Sequence, residues 1–291
     1  MRSRNSIMPP NAIGKKITES MLSPATVDTI ARIEKYLPLW MIFILLMIAG
    51  VGMASAIFVM IPSGEVAAKR INAVIERKGE ANVVFAAAPS QNDLFENLLK
   101  ENVDWTKVRG FHQDEYVGID ASEPAGFGNF LRRAIFDRVE FKEIHYLLCG
   151  ADEAEQKCEE YSALLKKHPI DLIFLGIGEN GHLAFNDPAV ADFEDPKMIK
   201  VVELDDVCRQ QQVNDGCFAT LDDVPKYAMT LTMSYIMSLP EAICVVPTDR
   251  KANAVYHALR GEVTTACPAS ILRNHNNAAL YLDKDSASGI M

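Results

Sequence analysis

Residues 171–178 read DLIFLGIG, an apolar run too short for a helix that stops at a Gly-Ile-Gly turn. With no alternation between polar and apolar positions, it reads as a strand buried on both faces, the pattern of a parallel sheet covered on both sides. Residues 81–88 (ANVVFAAA) and 242–247 (AICVVP) repeat the pattern, and 278–283 (AALYLD) read as a last strand. Residues 107–116 (KVRGFHQDEY) read as one further strand with a polar end. Between them lie helical stretches. In 63–79, Ala67, Ile71, Val74 and Ile75 share one face, Ser63 suits an N-cap and Gly79 a stop. PSQNDLFENLLKE (89–101) reads as a turn feeding a helix. GFGNFLRRAIFDRV (126–139), EAEQKCEEYSALLKKH (153–168) and DRKANAVYHALRG (249–261) read as helices.

Alternating strands and helices predict one α/β domain over residues 63–291, a three-layer sandwich with a mainly parallel Rossmann-like sheet. In such sheets ligands bind beyond the carboxyl ends of the strands, and the unusual polar residues here lie at those ends.

The preceding residues read differently. Residues 39–61 carry no charge, and Ser55 is their only polar side chain. At about 1.5 Å per residue, a helix of this length could cross a hydrocarbon core of roughly 30 Å. The segment is therefore a candidate membrane anchor and would add an N-terminal hydrophobic helix to the fold. The alternative is that 56–61 (AIFVMI) form a buried first strand. Residues 1–38 are a polar arm expected to be poorly ordered. Basic residues flank the hydrophobic run on both sides, so the positive-inside rule does not orient it.

The 291 residues have a formal net charge of -10, which argues against a nucleic-acid partner and requires local donors for any anionic ligand. The six cysteines form no CxxC pair and read as free thiols in a reducing, cytosolic setting. The histidines show no metal-ligand spacing, and no metal is expected.

Three clusters can carry chemistry. In 176–188 (GIGENGHLAFNDP), a buried strand runs into three glycines, His182 and Asp187. A carboxylate beside an imidazole fixes its tautomer and supports its cation. The bland alternative is a turn with a surface histidine. In 111–118 (FHQDEYVG), Asp114 and Glu115 point to opposite faces of a strand, so at most one faces a crevice. A carboxylate there suits proton abstraction beside a carbonyl, although a solvated acidic turn would read the same. In 86–94 (AAAPSQNDL), a strand enters a helix whose first N–H groups could cradle a phosphate, with Ser90 adding a hydroxyl. Read alone, this is an ordinary helix start. Lys251 and Arg209 are lone cations near such ends.

Together these stretches resemble the glucosamine-6-phosphate deaminase family, whose relatives include the 6-phosphogluconolactonases. DEYVG (114–118), GIGENGHLAFNDP (176–188), VPKYAMTLT (224–232) and RKANAVYHALRG (250–261) occur in the family's order. The LAFNDP stretch looks like the deaminase branch. The resemblance implies opening, isomerisation and hydrolysis of an amino-sugar phosphate, glucosamine 6-phosphate, to fructose 6-phosphate and ammonia without a cofactor. It implies that Asp114 moves a proton between C2 and C1. His182, held by Asn180 and Asp187, would assist ring opening. Ala88, Ser90, Gln91 and Lys251 would bind phosphate. Many deaminases have Asp where Asn180 stands and the longer Glu where Asp187 stands, so support for a His182 cation is expected to be weaker. Gln212 falls where the family has a phosphate-binding Arg, and Arg209, one turn earlier, is the expected substitute. A related sugar-phosphate hydrolase and a non-catalytic sugar-phosphate sensor are the alternatives. Family members often form homo-oligomers, and membrane contact would run through 39–61.

Overall fold

The alternation of buried side chains along each central strand sets the layers. In the computed structural model, which describes residues 63–290, strand β1 (Ala81–Phe85) turns Ala81, Val83 and Phe85 into one core and Val84 into the other. Strand β5 (Leu172–Leu175) likewise divides Leu172 and Phe174 from Ile173 and Leu175. Helices α1 (Ser63–Lys78) and α2 (Asn92–Leu98) cover the first face with the short helix α3 (Phe127–Leu131), which runs on into a π-turn at Arg132–Phe136. Helices α4 (Ala154–Lys167), α6 (Met233–Ser238) and α7 (Ala252–Arg260) cover the second. This is the predicted three-layer α/β sandwich.

The main sheet has six strands in the order β4 (Glu143–His145), β2 (Val108–His112), β1, β5, β8 (Ala242–Val246) and β9 (Ala278–Leu282), and every pairing is parallel. The chain winds outward from β1 in one direction and from β5 in the other. The strand order therefore reverses between them, where connections at the carboxyl ends diverge and leave a crevice. Helix α1 ends at Ile75–Gly79: Gly79 donates its N–H to Ile75 O at 2.8 Å with φ +83°, as expected of a glycine stop.

The predicted strand over 107–116 is two strands in two sheets. After His112 the chain leaves β2, and β3 (Asp114–Tyr116) pairs antiparallel with β7 (Tyr227–Leu231), which also pairs with β6 (Ile199–Glu203). The break falls at Gln113, whose carbonyl accepts from Leu231 N at 3.2 Å, while His112 N donates to the buried Tyr161 hydroxyl at 2.8 Å. Tertiary partners thus turn the strand. Asp114 is consequently held across β7 and not at the end of a free strand.

The arm over 1–38, the hydrophobic segment over 39–61 and the alternative first strand over 56–61 lie outside the described residues. Among the described residues no helix is long and apolar enough to cross a membrane.

Candidate active site

A cavity of about 460 Å³ opens at the carboxyl ends of β1, β2, β5 and β8. Its apolar lining includes Ala86, Phe127, Ala184 and Phe185, and its polar groups come from six separate segments of the chain.

Asp114 reaches the cavity from β3. It is 4% exposed; Oδ2 accepts from Gln113 Nε2 at 3.3 Å and Oδ1 has no partner. Burial pushes its carboxyl up to about 8, with Glu115 adding to the rise and the Gln113 bond opposing it. Glu115 points the other way, accepting N–H bonds from Phe127 at 3.0 Å and Gly128 at 2.8 Å, and lines a separate cavity with His112. One carboxylate of the pair faces the crevice, as strand alternation requires.

His182 comes from the loop after β5. Gly178 N donates to His182 O and Gly181 N to Gly178 O, each at 3.0 Å, so the loop folds back on itself. Gly181 has φ +84°, and a Cβ on Gly178 would lie 2.2 Å from the His182 ring. Neither position has room for a side chain. Asn186 Nδ2 ties the loop to β7 through Leu231 O at 2.8 Å.

The fully buried Asp187 places Oδ1 2.9 Å from His182 Nδ1, so the shorter side chain reaches the ring. Burial alone would raise the Asp187 carboxyl; the His182 contact and the Asn180 amide outweigh it and hold it below its usual value. Asn180 binds both: its Oδ1 accepts from His182 N at 3.0 Å, and its Nδ2 donates to Asp187 Oδ1 at 3.0 Å and to Asp205 Oδ2 at 3.3 Å. Asn180 is therefore a neutral bridge between two carboxylates, and Asp205 supplies a negative charge near His182 that the sequence reading did not anticipate.

The Cys208 thiol, with His182 and Asp187, brings three metal-ligand atoms within 4.8 Å of one another. Burial pushes that thiol well above its ordinary value.

The phosphate-binding expectations divide. Ala88, Ser90 and Lys251 line the cavity. Lys251 is 7% exposed and its Nζ has no partner; burial lowers its pKa, and the charges of Asp215 and Glu179 oppose that fall. It follows Thr248, which holds φ +80°, a strained position for a non-glycine residue, with its N–H donated to Asp283 Oδ2 at 2.8 Å. Gln91 does not line the cavity: its Nε2 faces Val245 O at 3.2 Å and Leu175 O at 3.4 Å, joining the ends of β8 and β5. Nor does Arg209. On helix α5 (Asp206–Asn214) it bonds Asp206, Leu221 O at 2.6 Å and Val224 O at 3.1 Å, bracing the following loop. Gln212 does line the cavity.

Arg250 and Gln113 are among the polar lining residues that the sequence reading did not single out. Arg250, beside Lys251, meets Asp215 at 3.0 Å and Glu179 at 3.7 Å at the cavity mouth. Gln113 lies directly before Asp114. Adjacency to the two chosen residues was the available signal.

The chain is similar to known proteins over most of its length. A glucosamine-6-phosphate deaminase of Listeria welshimeri is 35% identical over 211 residues, spanning 72% of this chain and 88% of the relative. One of Bacillus cereus is 32% identical over 224 residues, spanning 77% of this chain and 84% of the relative. Among solved structures, a monomeric glucosamine-6-phosphate deaminase superposes with a TM-score of 0.67 at 25% identity, covering 78% of this chain and 93% of that one. The 6-phosphogluconolactonase of Thermotoga maritima shares the fold, with a TM-score of 0.61 at 17% identity over 76% of this chain and 93% of its own. The family profile of glucosamine-6-phosphate isomerases/6-phosphogluconolactonase matches residues 62–281, and the chain belongs to that family.

Proposed function

We propose that this protein converts glucosamine 6-phosphate and water to fructose 6-phosphate and ammonia. The observation that carries the reading is one cavity holding a buried carboxylate with a free oxygen, an Asp-paired histidine and an unpartnered lysine. Its volume of about 460 Å³ is in the range of single small-molecule sites. The deaminases of Listeria welshimeri and Bacillus cereus, similar over most of this chain, favour the same reaction.

Lys251 and the Ala88–Ser90 side of the cavity hold the phosphate, which anchors C6 and aims C1 and C2 at the opposite wall. His182 moves a proton from the anomeric hydroxyl to the ring oxygen and opens the ring, and Asp187 stabilises the transient imidazolium. Asp114 takes the C2 proton of the open form and returns it to C1, while the C2 amine gives up a proton and the C1 oxygen gains one, which leaves the 2-imine of fructose 6-phosphate. Water adds at C2, and ammonia leaves to give the ketone. The base is well chosen physically, because a carboxylate raised to about 8 is a stronger base than an exposed one.

The test is a pair of incubations of the full chain, one with glucosamine 6-phosphate and one with 6-phosphogluconolactone. Equimolar ammonia and fructose 6-phosphate from the first, without accelerated hydrolysis in the second, is the expected result. Lactone hydrolysis without ammonia would overturn the proposal.

A further inference from the structure

Among the described residues, Gln113 is the one polar side chain that both lines the cavity and hydrogen-bonds the Asp114 carboxylate. It stands at the break between β2 and β3, 3% exposed, with its main-chain carbonyl taken by Leu231 N. Its amide nitrogen donates to Asp114 Oδ2 at 3.3 Å. With the nitrogen on Asp114, the amide oxygen is turned away from that carboxylate. The other end, Oε1, is buried and has no partner. A buried amide oxygen without a donor is unfavourable, and native proteins keep few of them. The apolar part of the cavity lining, Ala86, Phe127, Ala184 and Phe185, has no side-chain donor to give it.

A ligand bound in the cavity can supply the missing donor. In the proposed reaction Asp114 acts on the hydrogen at C2, so the other substituent of C2 is the substrate group nearest a side chain bonded to Asp114. On glucosamine 6-phosphate that substituent is an amine, a hydrogen-bond donor.

We infer that Gln113 is a specificity residue whose amide nitrogen holds Asp114 and whose amide oxygen accepts a hydrogen bond from the C2 amino group of the sugar phosphate. The inference rests on the deaminase reading for the placement of C2. It adds a positioning function for the base and a device that selects 2-amino over 2-deoxy sugars.

The test uses probes that cannot react, so binding is read apart from turnover. These are 2-amino-2-deoxyglucitol 6-phosphate and 2-deoxyglucitol 6-phosphate, open-chain polyols without a C1 carbonyl that differ by the donor at C2. Both are titrated calorimetrically into the full chain, into Gln113→Met, which keeps the shape and loses both amide groups, and into Gln113→Glu, which keeps an acceptor. The wild type should prefer the amino probe by about tenfold or more, the range of one hydrogen bond to a buried group. Gln113→Met should bring that ratio to within about twofold, and Gln113→Glu should retain it. In Gln113→Glu a carboxylate replaces the donor beside Asp114, so the pH at which kcat/KM rises should move upward. A wild-type ratio near one, or a Gln113→Met variant with the wild-type ratio, overturns the inference. Glucitol 6-phosphate, with a hydroxyl at C2, should bind between the two. Ammonia release together with an unchanged Gln113→Met ratio would sink this inference and leave the deaminase reading standing. A Gln113-dependent ratio in a protein that releases no ammonia would do the reverse.

Discussion

Replacing Asn180 by the Asp found at that place in many deaminases should damage this protein. The Asn180 amide nitrogen lies 3.0 Å from Asp187 Oδ1 and 3.3 Å from Asp205 Oδ2. Asn180→Asp turns a donor shared by two carboxylates into a third carboxylate. Two unit charges about 4 Å apart repel by about 4 kcal/mol at an effective dielectric of 20, and here there are two such pairs. That exceeds the free energy needed to protonate the new group at neutral pH. From an ordinary value near 4, holding the proton at pH 7 costs about 4 kcal/mol, and at pH 5 only about 1.5 kcal/mol. The variant will therefore take up a proton on folding. Its folded pKa lies above its unfolded one, so the folded state binds more protons and the penalty grows as pH rises from about 4. Urea denaturation of wild type and variant at pH 5 and pH 7 reads this directly. The destabilisation should be about 2–3 kcal/mol larger at pH 7, from the difference between the two protonation costs. A pH-independent difference, or a variant as stable as wild type at pH 7, would refute the view that Asn180 is a neutral bridge between two charges.

Four further outcomes follow from the site. The kcat/KM profile should rise with pH through the region near 8, where the free protein's Asp114 loses its proton, and a profile already flat from pH 6 would contradict this. Because that carboxyl is raised by burial, it also opposes folding increasingly between its ordinary value and about 8, so Asp114→Asn should be relatively more stable at pH 8 than at pH 4. Lys251→Met should make the ligand-free protein more stable, by about 1–3 kcal/mol in thermal or urea unfolding, because it removes a buried ammonium without a partner; KM should rise steeply in the same variant. Gly178→Ala should displace the His182 ring, since the added carbon would lie 2.2 Å from it, and lower kcat by about a hundredfold while calorimetric binding of phosphate changes little.

Much of the fold was legible because the central strands carry unbroken apolar runs. DLIFL and ANVVF could only be buried on both faces, and the α1, α4 and α7 stretches carry helical spacing. The β2–β3 break was not legible. KVRGFHQDEY has no proline or turn pair at Gln113, and the change of sheet is imposed by Tyr161 and Leu231, far away in sequence. Strand β4 has three residues and β6 carries charged and half-exposed positions, so their apolar signal is weak. In the site, Asp114, His182, Asp187 and Lys251 fall where their motifs implied. Arg209 does not, because the carbonyls of Leu221 and Val224 capture its guanidinium, a contact that helical spacing cannot reveal. Gln91 was read from its position at a helix start, whereas its side chain reaches across to β5 and β8. The reach of Asp187 depended on a tight loop, with positive φ at Gly181 and Ala184, that brings the shorter carboxylate to the ring.

The most direct test of the central claim is ammonia release from glucosamine 6-phosphate by the full chain, beside Asp114→Asn and His182→Ala. The account predicts ammonia in step with fructose 6-phosphate from the wild type. It predicts loss of at least about a hundredfold in rate in Asp114→Asn, the scale of a missing general base, with the variant still folded and still binding the sugar phosphate. Turnover by Asp114→Asn at the wild-type rate, or no ammonia from a folded wild type that binds the sugar, would contradict it.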